Sequence, residues 1–244
     1  MHFLTRLKFL IAKLILKTIS LLFKINPNKL INFKRNKLFW RTKLNDAVGL
    51  SLFIFGSFEK KLIRKLISKL YSNKNLVVID IGANIGVFCI VLAKEYTKKI
   101  KIYSYEACKE NFKILKFNVK RNRLNKKIKL QNCIISSDKN VPSSRYPILI
   151  NKKDNISLQS INGISGNINQ VQRRNLIIKE KKNIKKKLFL LKIDTDGSEF
   201  EVLRSCNEFI KNYNPQIIAI ELNKKMMSKK KIFSNFKILR KQKI

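Results

Sequence analysis

The sequence predicts an α/β protein built on a Rossmann-like, doubly wound, mostly parallel sheet. Short β-branched apolar runs alternate with stretches of helical period. Acidic residues, scarce in this chain, fall at the carboxyl ends of those runs. The first run leads straight into a turn with two glycines, Gly82 and Gly86, at the start of a helix. At 244 residues with 45% hydrophobic content, the chain has the material for a sizeable core.

In chain order, residues 1–25 are apolar and basic together. Phe3, Leu4, Leu7, Ile11, Leu14, Ile15 and Leu22 recur at helical spacing, interrupted by Arg6, Lys8, Lys13, Lys17 and Lys24. No uncharged run approaches the roughly 18–20 residues that span a bilayer, and no small-residue cleavage site marks a signal peptide. The pattern fits an amphipathic helix on an anionic membrane surface, and equally a helix packed on its own domain. Residues 1–50 are read as a basic, amphipathic, helical N-terminal segment and residues 51–244 as the main domain. Residues 57–70 have a clear helical period. Residues 76–81 form a β-branched apolar run, the mark of a buried parallel strand. A helix over 87–95, a strand over 100–105 and a helix over 109–121 follow, the last with Phe112, Leu115 and Val119 on one stripe. Strands are predicted over 128–135, 188–193 and 216–220, and a helix over 199–210. Residues 138–187 are polar and read as an insertion or lid. Only 23 residues follow Glu221, so the sheet is expected to end in an incomplete antiparallel pair.

Composition excludes several chemistries. The only histidine is His2, which removes any internal Ser-His-Asp or Cys-His pair and any His-rich metal site. Cys89, Cys108, Cys133 and Cys206 lie far apart without metal spacing. Three sit in apolar stretches, as small core residues in a reducing, cytoplasmic compartment. The formal charge of +39, from 54 Lys+Arg against 15 Asp+Glu, is carried mostly by scattered lysines. They suit a solvated surface first and an anionic membrane or glycan second. No aromatic and glycine interleaving accompanies them, so a dedicated nucleic-acid partner is not expected.

Asp80, Glu106, Asp194, Asp196 and Glu221 all fall at carboxyl ends of predicted strands, the edge at which open α/β sheets bind ligands. Residues 77–86 read strand, glycine turn, helix start. Gly82 permits the tight turn and Gly86 a close approach of the helix backbone to a ligand. The G-x-N-x-G pattern centred on Asn84 is neither the dinucleotide fingerprint nor a P-loop. An acid at position 80 would repel a pyrophosphate and favour an ammonium or sulfonium. Glu106, 20 residues after Gly86, stands where an acid accepts ribose hydroxyls. A ligand with a ribose, a carboxylate and a positive charge is S-adenosylmethionine. Asp80, Gly82, Asn84, Gly86 and Glu106 are therefore the candidate cofactor residues.

These stretches, with Gly56-Ser57-Phe58-Glu59, Tyr105-Glu106-Ala107, Lys192-Ile193-Asp194-Thr195-Asp196-Gly197-Ser198-Glu199 and Ile220-Glu221, resemble the FkbM family of S-adenosylmethionine-dependent methyltransferases over roughly residues 50–225. Two departures stand out. Asp196 replaces the family's usual Glu, and the Thr-Leu-Asp motif usual before the fourth strand is missing from residues 170–188. The resemblance implies methylation of a hydroxyl, often on a sugar. Lys192 and Asp194, two apart on one strand, share a face. A lysine in an apolar strand needs a partner, which Asp194 or Asp196 supplies. These three are the candidate catalytic residues, with general base at the acceptor as the sharpest role and a buried structural ion pair as the alternative. Glu199 and Glu221 are candidates for acceptor binding, although Glu199 would equally complement a helix dipole. Tyr105 and Phe88 read as core. No metal is expected, although Asp194, Asp196 and Glu199 could hold a hard cation. Two further functions stay open: a member that binds cofactor without turnover, and an RNA methyltransferase, for which the charge alone speaks.

Overall fold

The computed structural model describes residues 26–58, 60–70, 75–136, 188–195 and 198–221, with residues 10, 11, 14, 18, 21, 149–150, 156–157 and 173–174 besides. Residues 10, 11, 14, 18 and 21 are helical, and the Thr18 hydroxyl donates one turn back to the Leu14 carbonyl at 3.1 Å.

The helical reading of the segment up to residue 50 needs correction beyond that helix. Residues 30–43 form an antiparallel hairpin, β1 (Leu30–Arg35) and β2 (Leu38–Lys43). Its two-residue turn holds Asn36 and Lys37 at φ of 50° and 62°, the positive-φ pair that matches strand twist. The period is two: Leu38, Trp40 and Thr42 are buried while Phe39 and Lys43 face out. Asp46 then caps α1 (Ala47–Phe55) by accepting the Gly49 N–H at 3.1 Å, and Gly56 closes it at φ 67°. A boundary at residue 50 would cut this helix, and Leu38, Trp40 and Leu52 share one core with the sheet. The hairpin and α1 belong to the domain.

α2 (Lys60–Leu70) buries Ile63 and Leu66. β3 (Asn75–Ile81), α3 (Val87–Glu95), β4 (Lys99–Glu106) and α4 (Lys109–Arg121) follow within a residue of their predicted spans. The strand expected over 128–135 divides at Cys133 into β5 (Ile128–Asn132) and β6 (Ile134–Ile135). Its neighbour β4 ends at Glu106, opposite Asn132, so residues beyond lack a ladder partner and β6 pairs instead with β9 (Arg173–Arg174). Between them in sequence, β7 (Leu149–Ile150) and β8 (Ile156–Ser157) form an antiparallel pair. Most of the expected insertion over 138–187 lies outside the described residues. β10 (Leu188–Ile193) matches its prediction. The helix expected over 199–210 breaks at Cys206 into α5 (Glu199–Ser205) and α6 (Asn207–Tyr213), and β11 (Ile217–Ile220) closes the described chain. The expected C-terminal antiparallel pair falls after Glu221, outside the described residues.

Five strands form one sheet in the order β11-β10-β3-β4-β5, with every pairing parallel. Because strands alternate, Leu76 and Val78 of β3 face a core built with the hairpin and α1–α4. Val77, Ile79 and Ile81 face a second core with Val202, Leu203 and Phe209 of α5 and α6. The sheet is therefore sealed on both faces, and only its ends are left for a ligand. The chain runs outward from β3 through β4 to β5, then returns to β10 on the other side. That reversal, between β3 and β10, is the switch point at which open α/β sheets bind ligands.

Candidate active site

The ladder continues past the strand ends at this edge. Gly82 and Ala83 N–H donate to the Tyr105 carbonyl at 2.9 and 3.0 Å, Asp194 N–H to Ile81 at 3.0 Å, and Glu221 N–H to Ile193 at 3.2 Å. Since Ile81 pairs with both Ile193 and Tyr105, and Ile193 with Ile220, Glu221, Asp194, Gly82 and Glu106 stand in one row across four strands. One pair deeper, on the same face, lies a second row: Ala219, Lys192, Asp80 and Ser104.

Gly82, at φ 81°, is required by the approach of the two central strands: a Cβ there would overlap the Asp194 carbonyl oxygen. At φ 95° a Cβ on Gly86 would press on Leu115 and Ile90 side chains, so α4 packing on α3 also demands glycine there. Asn84 takes φ 50°, and its N–H donates to Glu106 Oε2 at 2.7 Å, while Cys108 N–H donates to Oε1 at 2.8 Å. Glu106 thus clamps the glycine turn to the loop before α4.

The second row is a buried charge cluster. The Lys192 ammonium lies 2.7 Å from Asp194 Oδ2 and 3.7 Å from Asp80 Oδ1, and 5.2 Å from the centre of the Phe88 ring. The Asp80 side chain is wholly buried, whereas Asp194 is 22% exposed. Asp80 faces Lys192, and burial first and the Asp80 charge second push the Cys89 thiol up. For Asp194, burial works against ionisation. The Lys192 charge and hydrogen bonds from Glu221 and Lys192 outweigh it and hold the carboxyl below its ordinary range.

The sequence profile of the methyltransferase FkbM domain matches residues 80–241, more than half of the chain. The chain belongs to the FkbM methyltransferase family. Among solved structures, an FkbM methyltransferase from Methylobacillus flagellatus KT is similar at 17% identity and a TM-score of 0.43, covering 66% of this chain and 37% of that one. M. jannaschii TYW2, solved in complex with AdoMet, is similar at 26% identity and a TM-score of 0.33, covering 44% and 45%. An O-methyltransferase from Bacillus cereus in complex with SAH has 18% identity and a TM-score of 0.28, covering 31% and 34%. This FkbM chain spans less than half the length of each of these proteins. No curated protein sequence matches it.

Of the acids singled out in this FkbM domain, the structure brings Glu106, Asp194 and Glu221 to one edge and sets Asp80 beneath them. Asp196 lies outside the described residues. Glu199 is buried, and its Oε1 accepts the Thr195 N–H at 2.9 Å and the Thr195 hydroxyl at 3.4 Å. It holds the loop after β10 in place. Sequence reasoning missed Asn118, fully buried on α4. Its Oδ1 accepts Arg41 N–H at 2.7 Å and its Nδ2 donates to Arg41 and Ile85 carbonyls at 3.2 and 2.9 Å. It ties the hairpin to the glycine turn. An asparagine next to Val119 on an otherwise apolar stripe was the available signal.

Proposed function

We propose that this chain uses S-adenosylmethionine to methylate a hydroxyl of a sugar or glycan. The donor set suits that cofactor. Glu106 offers acceptor lone pairs to ribose hydroxyls, and the backbone from Ala83 to Ile85 forms the wall beside it. S-adenosylmethionine supplies a methyl group on a sulfonium that leaves without assistance. The chain's own task is then to hold the acceptor in line and remove its proton. Asp194 carries the proposal. Its carboxylate is held ionised by Lys192 at the switch point and is partly open at the sheet edge. It takes the hydroxyl proton, while Glu221, exposed at the end of the next strand and in the same row as Asp194, binds a neighbouring hydroxyl. Two adjacent carboxyl groups suit the vicinal hydroxyls of a saccharide. Buried free cysteines support a cytoplasmic setting.

The test is transfer of labelled methyl from S-adenosylmethionine to sugar nucleotides and lipid-linked glycans. Asp194→Asn should lower kcat by about 10²–10⁴ with cofactor affinity within about twofold, since Glu106 and the glycine turn are untouched. Because the Asp194 pKa lies below its usual value of 3.8, the base form persists as pH falls through the ordinary carboxylate range. The wild-type rate should therefore show no Asp194 limb above that value. Cofactor binding with no turnover on any hydroxyl acceptor would leave a binding member without activity.

A further inference from the structure

All eight exposed large hydrophobic side chains of the described chain, among them Leu10, Leu14, Leu21, Phe53 and Phe55, lie between residues 10 and 55; the described residues from 56 to 221 contribute none. On a helix of about 3.6 residues per turn, positions 10, 11, 14, 18 and 21 fall on one face within an arc of about 100°. Leu10, Ile11, Leu14 and Leu21 there are 58, 47, 58 and 72% exposed. The sequence left two partners open for this face, a membrane or the chain's own domain, and no described residue of its own domain covers it.

The same stretch is strongly one-sided in charge. Residues 1–55 hold eleven Lys and Arg and a single acid, Asp46, whose carboxylate caps α1. α1 itself has no charged residue. Its exposed Phe53 lies edge-on to Phe33 at 5.3 Å, and the Arg35 guanidinium donates to the Ile54 carbonyl between Phe53 and Phe55. On the hairpin, the exposed Phe39 ring lies between the Lys34 ammonium at 5.4 Å and the Arg121 guanidinium at 4.9 Å. Apolar groups bordered by cations match the boundary between acyl chains and anionic headgroups. A polyanion such as RNA would use the cations and leave the leucines in water.

We infer that the exposed apolar residues Leu10, Ile11, Leu14 and Leu21 of the N-terminal helix, with Phe53 and Phe55 of α1, dock on an anionic lipid bilayer. Asn118, bonded to Arg41 on one side and Ile85 on the other, ties this surface to the glycine turn, so docking holds the site close to the bilayer. The inference stands apart from the methyl-transfer reading, because vesicle binding requires no cofactor.

Flotation of the full chain with phosphatidylglycerol-containing vesicles tests it, against pure phosphatidylcholine vesicles and a tRNA competitor. The wild type should float with the anionic vesicles at least tenfold more tightly than with the neutral ones. A Leu10→Asp, Leu14→Asp, Phe53→Asp variant should lose at least tenfold, with cofactor affinity and Trp40 fluorescence unchanged. Trp40 is the only tryptophan and is buried, so it reports the fold. Equal flotation of the variant, displacement by tRNA at stoichiometric amounts, or a stable dimer that ignores vesicles would overturn the inference. If the variant fails to fold, Leu14→Cys labelled with an environment-sensitive dye replaces it. The four native thiols are buried, so labelling is selective. A blue shift on anionic vesicles is expected, and unchanged emission would overturn the inference.

Discussion

Lys192 sits in an otherwise apolar strand, on the face shared with Leu190 and Val78, and its ammonium lies against two carboxylates of unequal exposure. Removing it leaves Asp80 buried without its cation. Lys192→Met should therefore destabilise the fold by about 3–5 kcal/mol. Adding Asp80→Asn should recover a substantial part, because the uncompensated charge is then gone. Urea denaturation of the two single variants and the double variant measures this coupling, and additive effects would mean that the pair does not interact. The need for a partner was legible in the sequence, since a lysine in an apolar strand is costly alone. Which acid served was not. Asp194 follows from spacing along one strand, but Asp80 becomes a partner only through the register between β3 and β10. The same limit applies to Gly86, whose neighbour Leu115 is distant in sequence.

At the scale of elements, α4 joins the hairpin to the sheet through two asparagines one turn apart. Asn122 accepts the Phe39 N–H at 2.9 Å and donates to its carbonyl at 2.7 Å, and Asn118 does the same for Arg41. The match is geometric. Four residues of helix rise about 6 Å and two residues of strand about 6.8 Å, so each side-chain amide meets one outward-facing peptide of the edge strand and satisfies it. Asn118→Ala should cost about 2–3 kcal/mol, because it strands buried backbone groups. Asn122→Ala should cost less, about 1 kcal/mol, because its neighbours reach water. Equal losses in thermal or urea melts would contradict this assignment. The hairpin escaped the sequence reading because its inward residues are few and its outward ones include Phe39, which blurs a period of two. The main strands were legible because burial on both faces writes continuous β-branched runs, and α3 and α4 because their stripes are long.

For the whole molecule, the dominant quantity is the charge of +39 at pH 7. Self-repulsion on that scale opposes the compact state, and salt shortens its range from about 10 Å at 0.1 M to about 3 Å at 1 M. Raising NaCl from low to high concentration should therefore raise Tm, by about 2–4 °C for each kcal/mol relieved. A falling Tm in a scanning fluorimetry series would mean that attractive pairs dominate instead. No helix among the described residues is long and apolar enough to cross a membrane. The sequence by itself determined the α/β class, the positions of the five main strands and the row of acids at their carboxyl ends, because periodicity and residue type are local properties of the chain. Tertiary structure alone decided that Glu106 clamps the glycine turn, that Asp80 faces Lys192 and that Glu199 holds a loop. It also decided that Asp194 meets Glu221 and that the hairpin joins the core. Each of these depends on register between segments far apart in sequence, and register is set by packing.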